Sequence, residues 1–478
     1  MRALTFGPNY QLSLGATSCH GFVARLFGWR PSKITPARET AWLDGLRGVA
    51  AFLVMSYHFN LHWWGYHLEG PYGGLGPYGN KWHIWRLPFI RIVMCAGHAQ
   101  VSIFFVLSGF VLSWNPLSTV RSGNGDKLAQ SLGSAITRRW LRLYLPCFAI
   151  IFGECLEYWN GLGGDFNGEP EPNLLMQIWH FVKATERWSN PFKLDRGPWT
   201  SIHDYDHTVW TIPYEFSGSM LVFVLLVAVG RIPRYAKRTL AVIVITLYAF
   251  FMAQWTYGLF LTGVLLADYV QLSGGFENVS ALSTLPRIIW SIVLVIALYL
   301  AGVPEKNDNY FTRPGYTFLD ALVPANWEEA EGGQRFWWCW AGVLVILASC
   351  HLATIRKIFE LSFPRYLGRV SFMLYITHRI VLREIGIPVR YAMLKVCGEK
   401  QHSLFEQKDV YVASSWLTFI IYFAHWAVIG PLALLIAHWC EVLIDSPSTR
   451  LARRVDDFFT KDIVQNDHEA EGLLHVAT

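Results

Sequence analysis

The stretch AWLDGLRGVAAFLVMSYHFN, Ala41 to Asn60, has the length and apolar character of a helix that enters a membrane. It carries Asp44 and Arg47 near its start, and His58 follows the arginine by eleven positions. Ionisable groups are costly inside a bilayer, so those found there mark functional sites by default. The stretch therefore predicts a membrane protein and also part of its site.

The composition of the whole chain favours a membrane protein with several spans. Charged residues make up 16% of the 478 residues, whereas soluble domains carry about 25%. The 22 tryptophans agree, because Trp gathers at the two membrane–water boundaries. The net charge of +5 is small and indicates no nucleic-acid partner. The eight cysteines show no CxxC pair or zinc spacing, so the sequence predicts no metal site.

Ten apolar stretches are candidate membrane spans. We therefore predict an all-α, polytopic membrane protein with about ten transmembrane helices. The fifth and sixth stretches form one long apolar tract, whose length suits a tight helical hairpin. The predicted spans are 44–60, 96–114, 140–158, 208–229, 238–253, 255–271, 286–303, 336–353, 366–383 and 413–443.

The loops between these spans alternate in charge. The loop before the third span is basic, with Arg138 and Arg139, whereas the seventh loop is acidic. Basic loops stay in the cytosol, so both termini are predicted to be cytosolic, in a membrane that the sequence does not identify. The predicted parts are a cytosolic arm at 1–40, a transmembrane domain at 41–450 and a cytosolic tail at 451–478.

The helical rise of about 1.5 Å per residue gives the depth of each ionisable residue. Arg47 lies near the cytosolic end of the first span, and His58 lies about 16 Å farther out. His378 in the ninth span falls at a similar outer depth. Glu215, in the fourth span, lies a couple of turns below the outer surface. We therefore expect His58, His378 and Glu215 to meet in one layer.

Arg139 and Arg142 start the third span, level with Arg47. A cytosolic ring of arginines suits a phosphate-rich ligand, because guanidinium binds phosphate with two hydrogen bonds. An outer histidine near a carboxylate suits general-base work on a hydroxyl. The hypothesis places a donor in a tunnel between the two layers.

Each of these residues also has a structural interpretation. The arginines suit ordinary anchors at the cytosolic surface, and Glu215 suits a partner for a structural arginine. His58 suits an interfacial histidine bonded to a backbone carbonyl, and the ninth span could end at His378. His58 with His62, and the segment HDYDH at 203–207, have weak metal-like spacings.

The second span contains small residues, in FFVLSGFVLSW from Phe104 to Trp114. Small residues allow close helix packing. We prefer this interpretation to a nucleophilic Ser108, because no GxSxG elbow surrounds that serine.

Six stretches in order resemble the acyltransferase 3 family of integral-membrane acyltransferases, over roughly Ala41 to Pro447. The first resembles the family's Arg-x10-His motif, here Arg47 and His58. RRWLRLYLP resembles its Arg-x-x-Arg element, here Arg139 and Arg142. The other four stretches are SIFFVLSGFVLSW, VWTIPYEF with Trp210 and Glu215, YLGRVSFMLYITHRIV, and VLIDSPS. Phe372 and Asp445 depart from the usual tyrosine and glutamate.

The resemblance implies ten spans, a cytosolic acyl-CoA donor, a hydroxyl acceptor and no tightly bound cofactor. It implies that His58 is catalytic and that Arg47, Arg139 and Arg142 support the donor. The hypothesis is a membrane O-acyltransferase for a sugar, lipid or secondary metabolite, with acetyl-CoA expected, Glu215 orienting the histidine or the acceptor, and His378 beside it. The rival is a transporter of an anionic metabolite with a proton relay, which predicts helices broken near mid-membrane, for instance at Pro213.

Overall fold

The structure is a computed structural model that describes residues 26–28, 38–68, 70–74, 82–162, 169–192, 201–305, 312–397 and 415–460. All regular structure within these ranges is helical, which confirms the all-α class. The longer helices are α1 (Ala41–Trp64), α2 (Gly97–Arg121), α3 (Gly125–Trp159), α4 (Leu174–Ser189), α5 (Thr211–Gly230), α6 (Tyr235–Phe251), α7 (Trp255–Leu272), α8 (Thr284–Ala301), α9 (Gly333–His351), α10 (Ser362–Ile380), α11 (Ile387–Val396) and α12 (Ser415–Cys440).

Short helical turns connect these helices. The α-helical ones are Ile90–Cys95, Phe276–Ser280, Thr317–Asp320, Ala325–Glu331 and Ala353–Phe359. Tighter 3-10 turns occur at Gly65–Leu68, Ile84–Arg86 and His207–Trp210. Two π-helical turns, Val381–Gly386 and Glu441–Asp445, follow α10 and α12.

A helix lies at each of the ten predicted ranges, but ten membrane spans are not confirmed. Within the described residues, four helical segments are long and apolar enough to cross a membrane: Gly97–Arg121, His207–Gly230, Thr284–Ala301 and Trp416–Thr460. A fifth appears if α9 and Ala353–Phe359, which meet at an angle of 106°, are counted as one span. The others fall short of that test because they are shorter, less apolar or more highly charged. The described part of the chain is thus all-helical, with four or five helical segments apolar enough to cross a membrane.

The long apolar tract at 238–271 forms the expected hairpin. Helix α6 ends at Phe251 and α7 begins at Trp255. Ala253 turns the chain with a φ of 52°, a value that few residues other than glycine adopt.

Glycines allow α1 and α10 to pack in contact along their backbones. A Cβ on Gly48 would lie 2.1 Å from the Gly368 nitrogen, and one on Gly368 would lie 2.3 Å from the Asp44 oxygen. Close approach of this kind needs residues without a side chain. The crossing fixes how α1 and α10 align.

A second glycine contact joins α2 to α7. A Cβ on Gly109 would lie 2.0 Å from the Phe260 oxygen, and one on Gly263 would lie 2.2 Å from the Val106 oxygen. The hydroxyl of Ser113 donates to the Gly109 carbonyl at 2.7 Å, within its own helix. Both observations agree with the packing interpretation of this small-residue stretch.

The bundle contains two large apolar clusters. One is built mainly from α2, α5, α7 and α9, and the other mainly from α1, α3, α10 and α12. The two clusters share Phe104 and Met220 at their edges. The functional residues lie where α1, α3, α5 and α10 meet between these clusters.

The predicted terminal parts lie mostly outside the described residues. Of the arm at 1–40, the structure describes 26–28 and 38–40, and of the tail it describes 451–460. The last helical segment continues through Thr460. The first ten residues of the predicted tail are therefore a continuation of that helix.

Candidate active site

One face of α1 carries both Arg47 and His58. At 3.6 residues per turn, eleven residues return to within about 20° of the starting direction, after a rise of about 16 Å. On α10, the residues Ser371, Tyr375 and His378 follow at i, i+4 and i+7, so they also share one face. The sequence therefore places a polar line on each of the two helices.

The two polar lines face each other. Arg47 Nε donates to Ser371 Oγ at 3.0 Å, and Arg47 Nη2 donates to the Gly368 carbonyl at 2.9 Å. The rings of His58 and His378 lie 5.0 Å apart between centroids. Each histidine follows its crossing glycine, Gly48 or Gly368, by ten residues. The glycine crossing and the parallel alignment of the helices thus bring the two histidines to one depth.

We call the contact between the polar lines of α1 and α10 the seam. A cavity of about 260 Å³ opens beside the end of the seam that carries Arg47. The predicted residues Arg47, Arg139, Arg142 and Glu215 all line it. Its other polar lining residues are Asp44, Ser108, Thr211, Arg369, Ser371, Tyr375 and Asp445. Four guanidinium groups around one cavity make it suitable for an anionic ligand.

Glu215 lies with the arginines rather than with the histidines, which corrects the expected layer of three. Arg139 Nη2 donates to Glu215 Oε1 at 2.5 Å, and Arg139 Nε donates to Ser219 Oγ at 2.9 Å. The side chains of Arg139 and Glu215 are 17% and 16% exposed, so the pair is largely shielded from water. The depth of Glu215 along α5 was insufficient to predict its partner, because the direction of the side chain depends on how α3 packs.

His378 is held in a defined tautomer. Its Nδ1 lies 2.8 Å from the Tyr375 carbonyl and 3.1 Å from the Leu374 carbonyl. A carbonyl oxygen only accepts, so Nδ1 carries the proton and Nε2 keeps a free lone pair. Nε2 is buried and has no hydrogen-bond partner among the described residues.

His58 differs from His378 in access and in contacts. Its side chain is half-buried, whereas His378 is fully buried. Among the described residues, the His58 ring lies beside two other rings, that of Tyr57 at 5.1 Å and that of His378 at 5.0 Å between centroids. The structure gives no bond from the imidazole to a described backbone carbonyl, which the interfacial interpretation requires.

Aromatic residues connect the cavity to the histidine pair, although neither histidine lines the cavity itself. Tyr375 lines the cavity, and its ring lies 6.1 Å from the His378 ring. The Tyr375 hydroxyl donates to the Thr208 carbonyl and accepts from Thr211 Oγ1, each at 2.8 Å. The residue is thereby fixed between the arginine layer and the histidine layer.

The residues with metal-like spacings in the segment 203–207 make contacts of another kind. No group of three or more His, Cys, Asp or Glu side chains is placed to hold a metal in the described ranges. In the segment 203–207, Asp204 accepts two hydrogen bonds from Arg187, and Asp206 accepts from the Thr208 backbone N–H. Burial lowers the pKa of His203 to about 3. These contacts fix the turn that precedes α5.

Sequence reasoning missed several cavity residues. Ser371, Tyr375 and Arg369 were not among the predicted site residues, although all three lie in the stretch YLGRVSFMLYITHRIV. For Ser371 and Tyr375, the i, i+4, i+7 spacing that ends at His378 was the available signal. Phe372 and Asp445, which depart from the usual motif residues, also line the cavity.

The sequence matches the profile of a known class of proteins. A family profile described as an acyltransferase domain, acyltransferase 3, matches residues 40–424. The chain belongs to this membrane-associated family and is an acyltransferase.

Three curated proteins illustrate what the chain is similar to. It is 29% identical over 391 residues to O-acetyltransferase PaAT-1 of Phomopsis amygdali, covering 75% of this chain and 76% of that one. It is 23% identical to acyltransferase R4 of a Phoma species, covering 73% and 84%, and 24% identical to acyltransferase clz18 of Cochliobolus lunatus, covering 73% and 83%. No solved structure matches the chain.

Proposed function

We propose that this acyltransferase moves an acyl group, acetyl in the first instance, from cytosolic acyl-CoA to a hydroxyl of a sugar, lipid or secondary metabolite. The observation that carries the proposal is the seam between α1 and α10, with an arginine-lined cavity below and a histidine pair above. The name of the relative in Phomopsis amygdali supports acetyl transfer to oxygen.

The arginines of the cavity suit the phosphates of coenzyme A. Arg142 is exposed to the cavity, so its guanidinium is available to a ligand. Arg47 and Arg139 are already tied to Ser371 and Glu215, which fixes their orientation before a ligand binds. Preorganised donors bind without the cost of ordering side chains. In this proposal Glu215 acts on Arg139 and has no direct role at the histidine.

In this proposal, His58 is the general base. One ring nitrogen takes the proton of the acceptor hydroxyl while that oxygen attacks the thioester carbonyl. The tetrahedral intermediate then expels coenzyme A as a thiolate, and the imidazolium returns the proton to that sulfur. General-base assistance of this kind contributes about 10² to 10⁴ in rate.

His378 positions the base. Its free Nε2 lone pair is suited to accept the second N–H of His58, which leaves the other nitrogen of His58 unprotonated. Because the proton of His378 is held on Nδ1 by backbone carbonyls, the lone pair of its Nε2 is available to stabilise the imidazolium that forms on His58.

The rival transporter hypothesis gains no support from Pro213. Pro213 lies in the first turn of α5, which continues without a break to Gly230. A proline at that position is tolerated in a helix. The residue therefore does not mark a helix broken near mid-membrane.

An assay on the purified protein tests the proposed function. Acetyl-CoA and a candidate hydroxyl acceptor are added, and the free thiol of coenzyme A is measured with a chromogenic disulfide. Acceptor-dependent release of coenzyme A is expected. Flux of an anion across liposomes without thiol release would contradict the proposal.

A further inference from the structure

A buried cation lies farther along α1, beyond the histidine pair. His62 follows His58 by one turn on the same face of α1. The guanidinium of Arg390, on α11, lies over the ring of the adjacent Trp63, 5.8 Å from its centroid. Arg390 is 4% exposed and acts electrostatically on His62. The cation is therefore next to the residue that stands one turn beyond the proposed base.

Arg390 has no anionic side chain as a partner in the described part of the chain. Its Nε and Nη1 are buried without a hydrogen-bond partner there, and no described carboxylate forms an ion pair with it. An unpaired buried charge costs several kcal/mol. Burial lowers the pKa of Arg390 to about 10, so the guanidinium remains charged at neutral pH.

The neighbours of Arg390 fix its place without neutralising it. Trp63 Nε1 donates to His425 Nδ1 at 2.8 Å, and His425 Nε2 donates to the Gly386 carbonyl at 2.9 Å. Both nitrogens of His425 are thus occupied, and the imidazole holds the Trp63 ring under the guanidinium. Gly386 ends the π-helical turn that joins α10 to α11, and such turns are frequent at functional sites.

Among the described residues, the ionisable groups that act on this place are basic. The electrostatic influences on His62 include those of Arg379 and His425. Arg379 also acts on His58 and His378. The approach to His58 from this end therefore combines several basic side chains, and the described residues provide Arg390 with no carboxylate. The positive charge of Arg390 itself attracts an anion.

We propose that Arg390 binds an anionic group, a carboxylate or a phosphate, on the acceptor whose hydroxyl meets His58. The inference rests on the proposed function and names the acceptor class of the same site. Guanidinium forms strong charge-assisted hydrogen bonds with either anion. The bound anion supplies the partner that Arg390 lacks, and it holds the acceptor while its hydroxyl loses a proton to His58.

A binding experiment tests this inference without acyl transfer. The full-length protein is purified as wild type, as Arg390→Met, as Arg390→Lys and as Lys395→Gln, which removes an exposed charge from the same helix. Thermal unfolding is followed with succinate, with inorganic phosphate and with neutral dimethyl succinate. Succinate or phosphate should raise the midpoint of the wild type and of Lys395→Gln by more than that of Arg390→Met. Arg390→Lys should keep part of the shift, and the neutral ester should act on none.

The unfolding midpoints without any anion give a second readout. An unpaired buried charge destabilises the fold, so Arg390→Met should unfold at the same temperature as the wild type or higher. A purely structural Arg390 would make that variant several degrees less stable and leave its response to anions unchanged. Either of those two results would overturn the inference.

A transfer experiment separates this inference from the proposed function. Wild-type protein is incubated with [13C2]acetyl-CoA and a metabolite extract of the cells that make it, and labelled products are identified by mass spectrometry. Labelled products should carry a carboxylate or a phosphate. Methylation of the extract should remove the carboxylate acceptors, and phosphatase treatment should remove the phosphate acceptors. Label in neutral products alone would overturn the anion subsite but not acyl transfer. Label in no product would contradict the proposed function itself.

Discussion

His58 and His378 are one residue type with two environments, and the difference predicts their roles. His378 is buried, with Nδ1 bonded to two carbonyls, whereas His58 is half-buried beside it. The sequence predicted both residues and their common depth, because depth follows from the rise of a helix. It offered a structural arginine as the partner of Glu215 but did not identify Arg139, because a partner on another helix depends on packing.

The contacts of His378 lead to a prediction for its amide replacements. In His378→Asn, the amide N–H is suited to replace the bond of Nδ1, but nothing replaces Nε2. We expect kcat to fall about 10- to 100-fold, less than the 10² to 10⁴ that general-base assistance itself contributes, with little change in KM for acyl-CoA. His378→Gln, whose amide reaches the position of Nε2, should retain more activity. Equal rates for both variants and the wild type would exclude a positioning role.

Arg142 provides a separate prediction for the donor. It lines the cavity and is exposed there, so Arg142→Gln should remove a charge-assisted hydrogen bond worth about 1.5–3 kcal/mol. KM for acetyl-CoA should rise about 10-fold or more by that energy, while kcat changes little. Steady-state kinetics at varied acetyl-CoA measure this, with the exposed Arg450→Gln as control. A lower kcat at unchanged KM would speak against donor binding at Arg142.

At the scale of helices, hydropathy predicted where the helices lie but not where all of them end. Helix α3 begins at Gly125, fifteen residues before the predicted span at 140–158. Its first part is polar, so a window that measures apolar character does not detect it. The sequence also did not predict the crossing of α1 with α10, because a glycine within a span does not indicate which helix it contacts.

That crossing makes Gly368 sensitive to substitution. A Cβ there would lie 2.3 Å from the Asp44 oxygen, so Gly368→Ala should force α1 and α10 apart. Overpacking of this kind costs about 1–3 kcal/mol. A lower unfolding midpoint and reduced turnover are expected, because the same crossing aligns His58 with His378.

The matched control for this prediction is Gly153→Ala on α3, where an added Cβ meets nothing within 4 Å. Alanine favours a helix over glycine by about 0.5–1 kcal/mol, so the midpoint should stay equal or rise. Unfolding curves of the two variants measured side by side check both expectations. A Gly368→Ala protein as stable and active as the wild type would show that the crossing is not tightly packed.

For the whole molecule, the orientation in the membrane follows from the loop charges and is open to a chemical test. The proposed orientation puts the arginine cavity on the cytosolic side and the end of α11 on the other side. Cys397, just after α11, is exposed. A membrane-impermeant maleimide should label it in intact cells or correctly oriented sealed vesicles, and Cys397→Ser should lose that label. Labelling only after permeabilisation would reverse the orientation.

The central claim is that the imidazole of His58 takes the proton of the acceptor hydroxyl, and replacing it is the most direct test. Purified His58→Gln protein is compared with the wild type for acceptor-dependent release of coenzyme A, with the unfolding midpoint as a check on the fold. The account predicts that turnover falls by about 10² to 10⁴, while binding of acetyl-CoA at the arginine cavity stays within about twofold of wild type, because the cavity residues do not include His58. A folded His58→Gln protein with wild-type turnover would contradict the account.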